Sequence, residues 1–256
     1  MLGSVNGVLG AINKGNAIVG TNWPGVTYDP ETHTIIANAN NVGITSGSLV
    51  PPPPNFSDIR YVSGIAGRPF QEVLGPGDCC AADSPRAQAQ AAAPPTPAPA
   101  ATGVGGGLAG GLLVEGLSIL KPPYGTISAI NLDRGEIVWQ VPHGDTPDAV
   151  RNHPALKGLT VPKTGQAPTG GIGLMVTKTL VVMGDPQLTT TPDHPRGAMF
   201  RAYEKTAGKE VGAVWMAAPQ SGSPMTYLAD GKQYIVVAIG GASYSGEYVA
   251  FTLPAR

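Results

Sequence analysis

Along most of this chain apolar and polar residues alternate over short runs separated by turn clusters, which is the period of β-strands rather than of helices. From 21 to 41 (TNWPGVTYDPETHTIIANANN) two runs of strand formers flank Asp29-Pro30-Glu31-Thr32-His33, and this arrangement predicts a hairpin. Residues 126–132 lead to a turn at Asp133-Arg134-Gly135, and residues 136–141 answer as the partner strand. Similar pairs are predicted for 173–176 with 179–183, for 199–204 with 210–216 across Lys205–Lys209, and for 225–228 with 233–239 across Ala229–Lys232; 248–253 is a final lone strand. No segment longer than a few turns carries helical periodicity.

Two of these pairs share one plan. Ser128 to Gly135 and on to Trp139 parallels Arg201 to Gly208 and on to Trp215: small residue, strand, polar turn, glycine, strand, tryptophan. Self-similarity at roughly 40–50 residues with four short strands per period is the sequence form of a propeller blade. The fold class read from the sequence is therefore all-β, a partial β-propeller of about three four-stranded blades, with tryptophans docked between neighbours. The first blade takes inner strands from 23–40 and outer strands from 126–141, the second spans 171–216, and the third runs from Ser223 to Pro254 with only three strands. The domain 21–254 would thus be interrupted by a long loop insertion, 43–119, and preceded by an irregular segment, 1–20. Within the insertion, 81–111 is almost wholly Ala, Pro, Gly, Gln and Thr, too poor in core formers to offset the entropy of ordering it, and reads as disordered.

Composition narrows the function. With 16 basic against 17 acidic residues, the chain has no field for capturing nucleic acid, which is not expected as a partner. The 36 glycines and 26 prolines fit a fold rich in turns plus one low-complexity segment. No apolar run reaches the length of a membrane-spanning helix, and 1–20 lacks the basic start and unbroken apolar stretch of a secretory signal. The only cysteines, Cys79 and Cys80, are adjacent and cannot cross-link distant parts of the fold. His33, His143, His153 and His194 show no metal-binding spacing and read as solvent-facing loop residues, so no metal site is expected within the chain. The glycines of 103–107 lack the strand before and helix after that a phosphate-cradling loop needs.

The repeated pattern, together with Thr21-Asn22-Trp23-Pro24-Gly25, Leu120-Lys121-Pro122-Pro123-Tyr124-Gly125, Gly208-Lys209-Glu210 and Gly222-Ser223-Pro224-Met225-Thr226-Tyr227, resembles the C-terminal third of dehydrogenases that use pyrroloquinoline quinone (PQQ), most closely the membrane-type glucose dehydrogenase branch. The resemblance implies an eight-bladed propeller with the quinone at the centre of a funnel, and a reaction that oxidises a sugar or alcohol and passes electrons to a membrane quinone or a cytochrome. It implies periplasmic placement as well. Carried over by position, Asn22 resembles the family's quinone-binding asparagine and Trp23 a funnel wall; as a plain turn residue and a core indole they would serve the fold alone. Gly170 and Gly171, at the second blade's entry, would let backbone approach the cofactor, although a bend required by the blade explains them equally. Asn152 and His153 lie in an interblade loop where substrate contact is a weaker expectation. Cys79-Cys80 is similar to the paired cysteines beside the quinone in some alcohol-oxidising relatives, but its neighbours do not match. The family's catalytic aspartate and the ligands of its calcium or magnesium ion fall in blades with no counterpart here, so no catalytic residue is assigned and the chain by itself is expected to bind the cofactor poorly and to be inactive. The competing reading is a non-catalytic propeller scaffold for protein partners, which has no use for a polar side chain aimed into the funnel.

Overall fold

The computed structural model describes residues 3–5, 8–14, 20–50, 58, 62–64, 113–168, 171–241 and 244–253. The chain divides into two compact units, one of residues 1–13 with 45–104 and one of 14–44 with 105–256.

In the larger unit the hairpin of β3 (Val26–Asp29) and β4 (Thr34–Asn40) forms where the alternation placed it. Strand β4 then pairs with β9 (Gly125–Asn131), from Thr34 opposite Asn131 to Asn40 opposite Gly125, and β10 (Glu136–Pro142) completes a sheet in the order β10-β9-β4-β3. A short hairpin, β7 (Leu113–Val114) with β8 (Leu117–Ser118), precedes β9. The second sheet follows chain order: β11 (Met175–Val176), β12 (Leu180–Gly184), β13 (Ala198–Glu204) and β14 (Glu210–Met216). The third has three strands, β15 (Met225–Ala229), β16 (Lys232–Gly241) and β17 (Tyr244–Thr252). Between the first two sheets lie one helical turn, α1 (Asp148–Arg151), and a 3₁₀ turn at Pro154–Leu156.

The middle sheet is apolar on both faces, and the strand period explains how. Val181 and Met183 join Ile36, Ile127, Ala129 and Trp139 in one buried cluster, whereas Val182, between them in sequence, joins Phe200, Met216, Val237 and Ile239 in another. Successive side chains of β12 therefore point to opposite neighbours, and the sheets stack side by side as propeller blades do. The partial β-propeller expected from the sequence is the architecture observed.

The seam between the first two blades is pinned by Trp139. Its indole is 9% exposed, donates from Nε1 to the Lys205 carbonyl at 2.9 Å, and lies against Gly208 so closely that a β-carbon there would fall 2.5 Å from Cε3. Gly208 also has φ +67, which a side chain would strain. On the same turn Lys205 reaches back to the first blade, its ammonium 2.9 Å from Asp29 and 3.0 Å from Glu31. Burial works against the Asp29 charge, yet the Thr32 hydroxyl and Lys205 outweigh it and hold the carboxyl below its ordinary pKa.

Trp215 does not repeat this docking. Counted from the turn glycines Gly135 and Gly208, the position matching Trp139 is Gly212: Trp139 pairs across with Ala129, and Gly212 with Ala202. Trp215 instead remains 38% exposed and stacks on His194 with ring centres 4.2 Å apart. With glycine at the docking position, a groove of about 770 Å³ stays open between second and third blades, lined by Leu180, Phe200, Gly212, Ile235 and Phe251 among others.

The smaller unit corrects the two expectations made for its residues. Strands β1 (Gly3–Val5), β2 (Val8–Lys14), β5 (Ile44–Val50) and β6 (Val62–Gly64) form a four-stranded sheet in the order β1-β2-β5-β6, so 1–20 is not wholly irregular and 43–119 is not one loop. Val8-Leu9-Gly10 and Ile44-Thr45-Ser46-Gly47 carry too many glycines and small residues for their strand character to stand out by alternation. Cys79, Cys80 and the low-complexity stretch 81–111 lie outside the described residues.

Removing the docked indole should open the first seam. Trp139→Ala is expected to lower unfolding free energy by about 3–5 kcal/mol, and Trp215→Ala by no more than about 1 kcal/mol. Urea unfolding of both variants checks this, and equal losses would show that Trp139 is not the pin.

Candidate functional site

The inner ends of the three blades meet at one place. The position of a β-carbon on Gly173, ahead of β11, is already taken by the Ser223 side chain, and the Pro24 carbonyl lies 3.2 Å from it. Gly173 also donates from its backbone nitrogen to the Gly222 carbonyl at 3.2 Å. Pro24, Gly173 and Ser223 precede β3, β11 and β15, so the starts of all three innermost strands converge, and glycine is required where they touch.

Beside this junction a small cleft is lined by Gly20, Asn22, Asn38, Asn40, Pro168, Gly171 and Ile172. The structure thus brings together Asn22 and Gly171, two of the positions singled out in the sequence. Gly170 lies outside the described residues. Asn22 is exposed; its Oδ1 accepts the backbone N–H of Trp23 at 2.8 Å, and its Nδ2 makes no hydrogen bond among the described residues. Gly171 is exposed and has φ +71, and no atom of the described residues lies within 4 Å of its β-carbon position. Trp23 is 85% exposed and is not a core residue. The cleft holds only about 10 Å³, room for one water-sized group. It could take an edge atom of a planar ligand; Trp23, which follows Asn22 in the chain, is not among its lining residues.

Asn152 and His153 do not line this cleft. Both ring nitrogens of His153 are engaged by the protein: Nδ1 accepts from Ala155 N–H at 3.2 Å, capping the 3₁₀ turn, so Nε2 carries the proton and donates to the Glu115 carbonyl at 2.8 Å. Asn152 follows α1, its backbone N–H closing that turn on the Asp148 carbonyl. Among the described residues no group of three His, Cys, Asp or Glu side chains stands close enough to hold a metal ion.

Charged residues gather instead along the first seam. Arg201, 4% exposed, binds Asp185 through Nε at 2.6 Å and Nη2 at 2.9 Å, Asp145 at 2.7 Å and Glu210 at 2.8 Å, while Lys163 holds the other oxygen of Glu210 at 2.6 Å. Burial alone would lower the Arg201 pKa, but the carboxylates raise it further above its ordinary value. Burial likewise would raise Glu210; Lys163 and Arg201 outweigh it and hold the carboxyl below the usual range.

His143 differs from the solvent-facing residue expected, being 1% exposed. Its Nε2 lies 3.0 Å from the Gly184 carbonyl, which can only accept, so Nε2 carries the proton and Nδ1 accepts from the Tyr203 hydroxyl at 2.9 Å. Burial pushes its pKa below the free value, outweighing the nearby Asp185 carboxylate, and the same burial pushes the Tyr203 phenol up. Nothing in the spacing of four scattered histidines could mark the buried one; only its position after a strand facing the neighbouring blade does so.

With this geometry in view, comparison with known proteins is informative. The chain matches over residues 9–235 the PQQ family described as glucose/ethanol/alcohol dehydrogenase, beta-propeller domain. It belongs to that family, whose members depend on PQQ. It is 28% identical over 250 residues to a probable quinate dehydrogenase (quinone) of Xanthomonas campestris pv. juglandis, covering 92% of this chain and 26% of the relative. A quinate/shikimate dehydrogenase (quinone) of Acinetobacter baylyi is 34% identical over 140 residues, 52% of this chain and 16% of that protein. Quinoprotein glucose dehydrogenase A of Acinetobacter calcoaceticus is 28% identical over 240 residues, 91% and 28%. Among solved structures, a quinohemoprotein alcohol dehydrogenase from Comamonas testosteroni aligns at 16% identity with a TM-score of 0.42, covering 86% of this chain and 22% of that one. The chain spans about a quarter of the length of the relatives that it matches along nearly all of its own length. No helix among the described residues is long and apolar enough to cross a membrane.

The buried imidazole makes the fold sensitive to acid. Because the folded pKa of His143 is depressed, its contribution to stability is complete above the free value of about 6.5 and is lost as pH falls from there toward the folded value, at up to about 1.4 kcal/mol per pH unit. His143→Asn should lower the neutral-pH plateau yet flatten the slope between pH 6.5 and 5. Urea unfolding across that range tests it, and an unchanged slope would assign the acid sensitivity elsewhere.

Proposed function

We propose that this chain is part of a PQQ-dependent dehydrogenase that oxidises a hydroxyl or hemiacetal carbon of a small polyhydroxy substrate, a glucose-like sugar or an alcohol, and that its first-blade rim holds the edge of the quinone. The observation that carries the proposal is the shared cleft: Asn22 from one blade and Gly171 from the next line a single notch near an exposed indole. Asn22 Nδ2 supplies a donor, the Gly171 backbone permits close approach, and Trp23 offers a flat apolar face, which are the parts that a planar, carboxylate-bearing group needs. Gly170 joins them on its sequence position. When bound, PQQ supplies acceptance of two electrons; the residues of this chain bind its edge and orient it.

Relatives are named for quinate, glucose and glycerol, which favours a polyol or sugar as substrate. On this reading the catalytic base and the ligands of the calcium or magnesium ion come from segments of the relatives with no counterpart here, electrons pass to a membrane quinone or a cytochrome, and the reaction is periplasmic. Asn152 and His153 are the weaker part of the proposal, since a substrate contact would have to displace the hydrogen bonds that His153 already makes.

The test is a titration of the purified chain with PQQ and calcium, read by Trp fluorescence, beside dye-reduction assays with glucose, quinate and glycerol on the chain and on a version extended upstream. Weak quinone binding by the chain, and tighter binding with turnover by the extended protein, are expected. If neither binds nor turns over, the scaffold reading takes its place. Asn22→Ala is expected to weaken quinone binding by about 1–3 kcal/mol, the cost of one buried hydrogen bond left unmade, and an unchanged affinity would remove Asn22 from the site.

A further inference from the structure

At the entry to the second blade, Pro168, Ile172 and Gly173 precede β11, and their carbonyls are held by side chains rather than by a sheet partner. Asn38 Nδ2 donates to the Ile172 carbonyl at 3.0 Å, and Asn40 Nδ2 donates to the Pro168 carbonyl at 2.9 Å while its Oδ1 accepts from Val42 N–H at 3.0 Å. From the other side, Gln220 Nε2 donates to the Gly173 carbonyl at 2.6 Å and to the Gly222 carbonyl at 2.5 Å, and its Oε1 accepts from Gly184 N–H at 2.5 Å. All three side chains are 4% exposed. Pro168 before Gly171 and Ile172 after it are thereby held, while no atom of the described residues lies within 4 Å of a β-carbon on Gly171.

Asn38 also reaches the other side of the cleft. Its backbone N–H donates to the Gly25 carbonyl at 2.8 Å, Gly25 N–H closes on the Asn22 carbonyl at 2.6 Å, and the Asn38 side-chain oxygen fills the space where Gly25 would carry a β-carbon. One buried amide therefore sets the Asn22 turn and the Gly171 segment in a fixed relation, and Gln220 ties the same segment to the third blade. A primary amide donates and accepts at once and carries no charge, which is what opposing backbone carbonyls and N–H groups demand at a buried seam.

We propose that Asn38, Asn40 and Gln220 are positioning residues: three buried amides that set the spacing between Asn22 and Gly171, and through it the affinity of the rim for the edge of a quinone. The proposal rests on the reading of that rim as the quinone site. An amide-to-acid change keeps the shape and replaces the donor by an acceptor facing a carbonyl, so Asn38→Asp is the direct test, with Asn38→Ser as the milder variant should the first not fold. Ile127→Val removes one methyl directly across the strands from Asn38 without touching any amide, and serves as the control for lost packing.

Two measurements on the whole chain decide the matter, made well below the unfolding temperature. In PQQ titrations Asn38→Asp or Asn38→Ser should weaken binding about tenfold, the equivalent of one hydrogen bond, while Ile127→Val leaves it unchanged. In hydrogen–deuterium exchange without quinone, the peptide covering 171–176 should exchange faster in the Asn38 variants and the peptides of β16 should not. If the wild-type chain fails to bind PQQ, the quinone reading of the rim is lost and exchange alone judges the clamp. Uniform exchange across variants, or quinone affinity matching the Ile127→Val control, would overturn the positioning role.

Discussion

The structure depends on one docking contact, the indole of Trp139 against the turn Lys205–Lys209 of the next blade. A blade cannot stand alone, because each sheet is apolar on faces that only a neighbour can cover. The indole supplies both the area and the direction of that cover: its ring packs on Gly208, and its single N–H reaches the Lys205 carbonyl. Lys205 then returns to Asp29 and Glu31 in the first blade, so an apolar contact and an ion pair close the seam at the same turn. Burial of such a pair is tolerable because each charge keeps a close opposite partner.

Farther along the seam the bonding becomes more polar. Arg201 uses its guanidinium to join Asp185, Asp145 and Glu210, and His143 bridges Tyr203 and the Gly184 carbonyl as a neutral ring. Asp145 and His143 leave the first blade, while Arg201, Asp185, Tyr203 and Glu210 belong to the second. The two sheets are thus fixed not only in distance but in sliding register, since a buried fork of hydrogen bonds is satisfied at one offset only.

At the inner rim the fixing groups are uncharged amides. This difference fits the role proposed for the rim, which would hold the edge of a quinone without adding charge beside it. The convergence of Pro24, Gly173 and Ser223 leaves no room for a side chain on Gly173, whereas Gly171, two residues earlier, faces open space.

Much of the larger unit was legible in the chain by itself. Period-two alternation and turn chemistry at Asp133-Arg134-Gly135 and Ala229–Lys232 determined the hairpins, and the repeat around Gly135 and Gly208 determined that they assemble as blades, including the pairing of β4 with β9 across the long insertion. Asn22 and Gly171 were singled out as positions at strand starts, and the structure brings these two to one cleft. The sheet of the smaller unit was not legible, because Gly-rich runs such as Val8–Gly10 carry no alternation to read. Nor was the docking tryptophan: two outer strands each carry an indole, and only cross-strand register shows that Trp139 occupies the seam while Gly212, not Trp215, stands at its counterpart. Alternation tells which side of a sheet a residue faces, but not what lies there. Asn38 and Ile172 are 134 residues apart, and the bond between them exists only because two blades pack at one offset. Local sequence determined the strands and their turns; which buried polar groups satisfy one another across the seams was decided by tertiary packing, because a hydrogen bond depends on where both partners end up in space.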